Sequence, residues 1–277
     1  MNSIKIKRIT NKTISLIILS ILALMAFLPL YWMVVTAFKE PTLTMKFPPE
    51  LFPKNPTIQN FADLFQRKEI FRWTLNSVIV AGTVTISQIF LCAMAGYSIA
   101  KKRFPGSKAF FWIYICSMMI PKQVTLVPLY IMVGNFGLIN TYGGLILPSI
   151  AAPFGVFLMR QFMVSLPNEV IDAAKIDGAG EFMTFFKIIL PMSKPALAVL
   201  GIFTFVGEWN SFLWPLIATQ TAEMKTLQAG LALIQEEVPM QYAYLMAGAA
   251  FAAIPMIIVF LSFQKYFLRG VTVGSVK

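Results

Sequence analysis

The sequence predicts an all-α integral membrane protein, with six transmembrane helices and a cytoplasmic helix between the fourth and fifth. Three observations predict it. The 277 residues are 57% hydrophobic and only 13% charged, against roughly 45–50% and about 25% in a soluble domain. Six apolar runs each reach the ~20 residues that a hydrocarbon core of about 30 Å demands of a helix. The runs are continuous, not alternating, and in lipid only a hydrogen-bond ladder within the segment satisfies such a backbone.

The first run, Ile14–Phe38, follows a basic start of Lys5, Lys7, Arg8 and Lys12. A secretory signal also begins that way, but its apolar core is about 7–15 residues and ends on small residues. This run is longer and has no such end, so it is read as a retained span. The others are Trp73–Ala100, Ala109–Val133, Tyr142–Met163, Pro191–Thr219 and Tyr242–Leu268. Pro121 and Pro128 in the third run, and Pro148 and Pro153 in the fourth, predict broken or kinked helices. The expected organisation is a cytoplasmic N-terminus (1–13), one six-helix transmembrane domain (14–268) and a cytoplasmic tail (269–277).

Lysine and arginine set the orientation. With the N-terminus inside, the inner segments hold fifteen basic residues, among them Lys101, Lys102, Arg103, Lys108 and Arg160, and the outer segments hold seven. Both termini are therefore expected in the cytoplasm. The net charge of +11 reads as a topology signal; nucleic acid would need it gathered on one soluble face.

The inventory also excludes chemistry. There is no histidine, hence no imidazole catalysis, Ser-His triad or His-ligated metal. Cys92 and Cys116 lie inside apolar runs, so neither a disulfide framework nor a thiolate metal site is expected. No G-x-x-x-x-G-K-[ST] string occurs, so any nucleotide must be brought by a partner. The outer stretches 40–72 and 219–241 either meet an external partner or merely join spans.

The long inner loop is the most informative stretch. Pro167 suits a first helical position, Glu169 and Asp172 fall where the helix dipole favours acids, and Gly178 and Gly180 supply an end. Val170, Ala173, Ala174 and Asp177 recur at three- and four-residue spacing and make one face small. The residues alone leave two readings: an interfacial linker, or a helix that seats in a groove of another protein. Away from the ends of the spans, Lys122 and Glu208 are the two charges. Each costs about 2.5–3.5 kcal/mol at a span centre, so each should face protein or water. With Gln123, Trp209 and Asn210 they offer the amide, charged and aromatic groups that bind sugars. They either line a substrate pathway, where Lys122 and Glu208 could pair, or snorkel outward and pack against a partner.

Asp172-Ala173-Ala174, three residues, Gly178, nine residues, then Ile188-Ile189-Leu190-Pro191 resembles the EAA loop of ABC importer permeases. Every spacing agrees, and Asp172 stands where the family usually has Glu. The stretches 121–130, 137–142 and 207–216 resemble the carbohydrate-importer branch. The six-span layout and the ending Arg269–Lys277 are similar to the second permease of the maltose-type systems.

The resemblance implies a type I ABC importer permease fold in a bacterial cell membrane, with the helix within 167–180 as the coupling helix. It assigns the ATPase contact to Glu169, Asp172, Ala173, Ala174, Asp177 and Gly178, with a further contact from Gly274, Ser275 and Lys277. It implies a homologous companion permease as a heterodimer partner, two cytoplasmic ATPase subunits and an extracytoplasmic sugar-binding protein. This chain would bind no cofactor, ATP and Mg belonging to the ATPase, and would not be an enzyme. The nearest alternative is an ion-coupled secondary transporter subunit, for which Lys122 and Glu208 are a thin supply of ionisable groups. A lipid-modifying enzyme would need a carboxylate cluster or histidine that is absent.

Overall fold

A computed structural model describes residues 2–41, 50–102, 104–237 and 241–273, with side chains described between 12 and 263. Every regular element among the described residues is helical. Among the described residues, three helices are long and apolar enough to cross a membrane, at Lys12–Ala37, Lys68–Lys101 and Tyr242–Phe263, and two bent pairs bring the number to as many as five. The chain divides into two compact units, residues 1–68 with 231–253, and 69–230 with 254–277.

In the first unit, α1 (Asn2–Ala37) begins well before the expected start of the span at Ile14. Its apolar side chains from Ile14 to Leu30 are exposed within this chain, Leu24 at 68%. That surface belongs against lipid or protein. The end of α1 is held by α2 (Gln59–Gln66), whose Leu64 is fully buried. The buried Asn60 amide donates to the carbonyls of Ala37 (2.9 Å) and Lys39 (2.7 Å). Two orphan carbonyls at the helix end thereby gain partners. Lys39 stands 4.2 Å from the ring centre of Trp32 and bonds the Glu50 carbonyl. Arg67 pairs with Glu237 at 2.7 Å, and Phe65 meets Phe251 edge-on.

The second unit is built on α3 (Lys68–Lys101). Its buried side chains recur at three- and four-residue intervals through Val80, Val84, Gln88 and Cys92, the periodicity of one helix face. α3 crosses α7 (Pro153–Val164) at two glycines. A Cβ on Gly96 would lie 2.8 Å from the Arg160 nitrogen, and one on Gly155 would lie 2.7 Å from the Cys92 sulfur. The two backbones meet so closely only because neither crossing point carries a side chain. Around them, Cys92, Tyr97, Met159 and Met163 join Ile171, Phe185, Ile189 and Leu200 in one buried cluster.

The third apolar run departs from a single span between Ala109 and Val133. It forms α4 (Ser107–Met118) and α5 (Leu126–Asn135), with non-helical chain from 119 to 125. Pro121 lacks the N–H the ladder needs and clashes with the preceding turn, whereas Pro128 sits in the first turn of α5, where no donor is required. The fourth run breaks as its prolines predict. α6 (Tyr142–Ile146) and a 3₁₀ turn at Leu147–Ser149 meet α7 at a 40° bend.

The fifth run is interrupted twice. α9 (Glu181–Thr184) widens into a π turn at Phe185–Ile189 and ends in α10 (Leu190–Met192). α11 (Lys194–Trp209) then leaves at 78°. Pro195 explains the bend, because its ring excludes the carbonyl of Pro191 four residues back. At the other end 210–212 breaks the helix before α12 (Leu213–Ala218). The chain returns through α13 (Leu227–Glu237) to α14 (Tyr242–Val273), which runs past the expected end at Leu268.

Candidate functional site

The loop after α7 folds as α8 (Glu169–Ile176), shorter than the expected 167–180, with Pro167 two residues ahead of it. Glu169 and Asp172 occupy its first turn and Lys175 its last, each on the side the dipole favours. The stop is set by backbone geometry. Gly178 has φ +77°, the Gly178 N–H donates to the Lys175 carbonyl, and the Ala179 N–H reaches back to Ala174 at 2.9 Å. Those two bonds make a Schellman cap, which requires a left-handed residue after the helix. Nothing lies within 4 Å of a Cβ built on Gly178, so within this chain the glycine serves the turn and not a close approach.

α8 does not present one uniformly small face. Ile171 and Ala174 are buried, and Ile171 belongs to the central cluster of the second unit. Glu169, Asp172, Ala173, Asp177 and Gly178 are exposed, and Ile176 is 87% exposed. The side turned away from the protein is thus acidic with one large apolar knob, and Phe182, 77% exposed, follows on the next helix.

Two lysines of the basic group after the second run, counted from sequence only for orientation, turn out to hold this segment. Lys101 ends α3 and donates to the Leu166 carbonyl (2.5 Å), the Asn168 side-chain oxygen (2.9 Å) and the Val164 carbonyl (3.4 Å). It therefore satisfies the open carbonyls after α7 and fixes the chain leading into α8. Lys102 forms an ion pair with Glu181 and lies 5.1 Å from the Tyr97 ring centre. Partial burial alone would lower the Lys102 pKa, but the ion pair with Glu181 and the nearby Tyr97 outweigh it and the ammonium is held above its ordinary range. The chain on either side of α8 is thereby tied to the end of α3, at Asn168 through Lys101 and at Glu181 through the adjoining Lys102.

Three backbone interruptions, at 119–125, 150–152 and 210–212, meet at one cavity of 570 Å³. The first contributes Lys122, Gln123 and Thr125, the second Ala151 and Ala152 with neighbouring Ser149, and the third Ser211 and Phe212. Non-helical backbone at membrane depth is tolerated only where it is buried in protein or lines a polar cavity. Glu208 at the end of α11 lines the same space as Lys122 and Ser149.

The sequence candidates separate accordingly. Lys122, Gln123 and Glu208 come together in the cavity. Trp209 is 1% exposed and stacks on Phe205 at 5.9 Å, and Asn210 turns toward Met256; neither is among the cavity's lining residues. Successive helical residues point about 100° apart, so with Glu208 aimed into the cavity Trp209 points elsewhere. The aromatic residues in place are Phe154, Phe203 and Phe212, with Trp214 beyond the break. Gln88 and Thr204, which the sequence does not single out, also line the wall; neutral polar residues in a span carry no signal until their partners are known. Gly274, Ser275 and Lys277 lie outside the described residues.

The chain matches the family described as binding-protein-dependent transport system inner membrane component over residues 88–273, which takes in α8 and the cavity. It belongs to that family. This transport component is 36% identical over 259 residues to an arabinooligosaccharides transport system permease protein, AraQ, of Halalkalibacterium halodurans, covering 92% of this chain and 93% of that one. With the protein of the same description from Bacillus subtilis it shares 39% over 229 residues, 82% of each chain. With an sn-glycerol-3-phosphate transport system permease protein, UgpE, of Yersinia pestis it shares 34% over 262 residues, 92% and 93%. A crystal structure of a bacterial ABC transporter that imports the acidic polysaccharide alginate contains a similar chain. Its TM-score is 0.80 at 22% identity, covering 92% of this chain and 95% of that one, a likeness of fold. This component is a membrane part of a transport system, and its role is passage, not catalysis.

Proposed function

We propose that this chain is the permease subunit of an ATP-driven sugar importer, forms half of its translocation pathway, and couples that pathway to a separate ATPase through α8. The convergence of three helix breaks on one cavity that also holds Lys122, Gln123 and Glu208 carries the reading. A pathway needs irregular backbone at depth, and here the irregular backbone is gathered in one place. The relatives described as arabinooligosaccharide permeases support sugar as cargo.

In this scheme residues 14–268 cross the membrane six times, with α4 and α5 together as one crossing, and the ends 1–13 and 269–277 lie in the cytoplasm. A homologous companion permease completes the pathway, and an extracytoplasmic sugar-binding protein delivers the cargo. Two cytoplasmic ATPase subunits hold ATP and Mg, and this chain binds no cofactor. Glu169, Asp172, Ala173, Ala174, Asp177 and Gly178 meet an ATPase subunit, with a further contact from Gly274, Ser275 and Lys277. Closure of the ATPase pair displaces α8, and Lys101 and Lys102 carry the movement into α3. The element has two states and the partner biases them, as physical coupling requires.

The experiment is uptake into proteoliposomes holding both permeases and the ATPase, with the binding protein outside and ATP within. Uptake should require ATP, stop when the ATPase is omitted, and survive dissipation of proton and sodium gradients. Uptake that collapses with the gradients and ignores ATP would favour the ion-coupled alternative.

A further inference from the structure

We propose that a groove at the end of α3 binds a phospholipid whose headgroup carries a primary amine, the phosphatidylethanolamine class. Lys102 takes its phosphate and Glu181 its ammonium, with an acyl chain along Met94 and Phe182. The proposal requires α3 to cross the membrane and is independent of the cargo.

The groove holds 390 Å³ between two walls. Met94, Tyr97, Ser98 and Lys102 form one, and Glu181, Phe182 and Phe185 form the other. The first four recur at three- and four-residue spacing, a single stripe of a helix. The Lys102 N–H still donates to the Ser98 carbonyl at 3.1 Å, so the stripe runs just past the end of α3. α3 is apolar and long enough to cross a membrane, and its end therefore lies near the headgroups. Lysine and tyrosine are residue types that gather at that level. Met94 lies about 12 Å from Lys102 toward the hydrocarbon, at ~1.5 Å rise per residue. The groove thus runs from a charged mouth to an apolar depth, as a phospholipid does.

The mouth matches a zwitterion. Lys102 and Glu181 are ion-paired, yet their side chains stay 29% and 61% exposed. An ammonium has three donors and a carboxylate about four acceptor sites, so both members have bonds left to make. A phosphate beside Lys102 and a primary ammonium beside Glu181 complete an alternating square of charge, each contact charge-assisted. A headgroup that is only anionic gains from Lys102 and is repelled by Glu181. A choline nitrogen has no hydrogen to donate, and the Tyr97 ring that could receive it already lies 5.1 Å from the Lys102 ammonium. The Tyr97 hydroxyl is buried and has no hydrogen-bond partner among the described residues. A phosphate beside Lys102 supplies an acceptor on that wall. On the facing wall Phe182 is 77% exposed, an apolar surface suited to an acyl chain.

The test uses the full importer complex in phosphatidylcholine nanodiscs, each doped with the same small fraction of one photoactivatable lipid. The three probes carry a diazirine in the acyl chain and an ethanolamine, choline or glycerol headgroup. After irradiation, mass spectrometry locates the labelled peptides. The ethanolamine probe should label the peptides of Met94 and Phe182 about tenfold more than the choline probe, the difference one charge-assisted bond makes. The anionic glycerol probe should not exceed choline. Glu181→Gln should bring the ethanolamine probe down to the choline level, while unchanged choline labelling shows the groove intact. Glu181→Lys should make the glycerol probe the preferred one. Equal labelling by ethanolamine and choline in the wild type, preference there for glycerol, or ethanolamine labelling unchanged in Glu181→Gln would overturn the proposal. So would a groove that no probe labels, because another subunit then covers it.

Discussion

Gly178→Val uncouples the transporter. The valine must take φ +77°, where an L residue is disfavoured by roughly 1–2 kcal/mol and a β-branched one by more. A penalty of that size shifts a conformational equilibrium by a factor of about 5–30, here away from the Schellman cap. α8 then loses its stop, and the acidic surface around Asp172 and Asp177 is presented in a different direction. Uptake in proteoliposomes is expected to fall by about tenfold or more, while the ATPase continues its basal hydrolysis. Gly178→Asn is the control. Asparagine visits the left-handed region far more readily, and no atom of this chain lies within 4 Å of the added Cβ. Uptake with Asn close to wild type and with Val lost assigns the glycine to the turn. Equal loss in both assigns it to close approach by the ATPase, and no loss in either removes the turn from the mechanism.

Asn76→Leu is expected to be the most damaging conservative change in the second unit. Asn76 is fully buried on α3 and joins three segments. Its amide donates to the carbonyls of Glu223 (2.7 Å) and Lys225 (2.8 Å), and its oxygen accepts from the Tyr142 hydroxyl at 2.6 Å. Leucine fits the volume but leaves two carbonyls and a hydroxyl without partners, at about 1–3 kcal/mol each where water cannot reach. The segment it secures is stitched to α3 elsewhere, by the Trp73 indole on Ala222 and the Ser77 hydroxyl on the Leu227 N–H, so the effect is loss of stability and not of one loop. The thermal midpoint of the purified complex should drop by several degrees. Tyr142→Phe, which removes one bond of the three, should cost about 1 kcal/mol. Equal midpoints for Asn76→Leu and wild type would show that the network contributes nothing.

Much of this architecture is legible in the sequence because lipid enforces it. The second and sixth apolar runs fall on α3 and α14 with ends displaced by a few residues, and proline chemistry locates the breaks near Pro121 and Pro153. The 78° bend before α11 and the break at 210–212 are less visible, since Pro195 and Pro215 stand in runs that hydropathy alone reads through. The break also explains why Trp209 stands out in the sequence ahead of Trp214. Helical phase continues from Glu208 to Trp209 and is reset before Trp214, so no periodicity argument reaches across.

The intramembrane charges Lys122 and Glu208 announce themselves by their cost, whereas Gln88, Ser149 and Thr204 acquire meaning only from distances of 2.6 and 2.9 Å between segments far apart in the chain. The loop motif locates α8 but not its packed side. Spacing suggests a small face of Val170, Ala173, Ala174 and Asp177, and the structure instead seats Ile171 and Ala174. Lys101 and Lys102, mere topology charges in a count, tie the chain on either side of α8 to the end of α3.

Proximity of α8 to an ATPase subunit is the most direct test of the central claim. Ile176→Cys places a thiol at the most exposed apolar position of the helix, in a Cys116→Ser background that removes the exposed native thiol. A short bifunctional thiol reagent is applied to the assembled complex, whose ATPase carries single cysteines along its cleft. The coupling role predicts one dominant cross-linked product between this chain and the ATPase, with a yield that changes when ATP is added. A thiol at Ile176 that labels freely with small reagents, forms no product with any ATPase cysteine, and does not respond to ATP would contradict it.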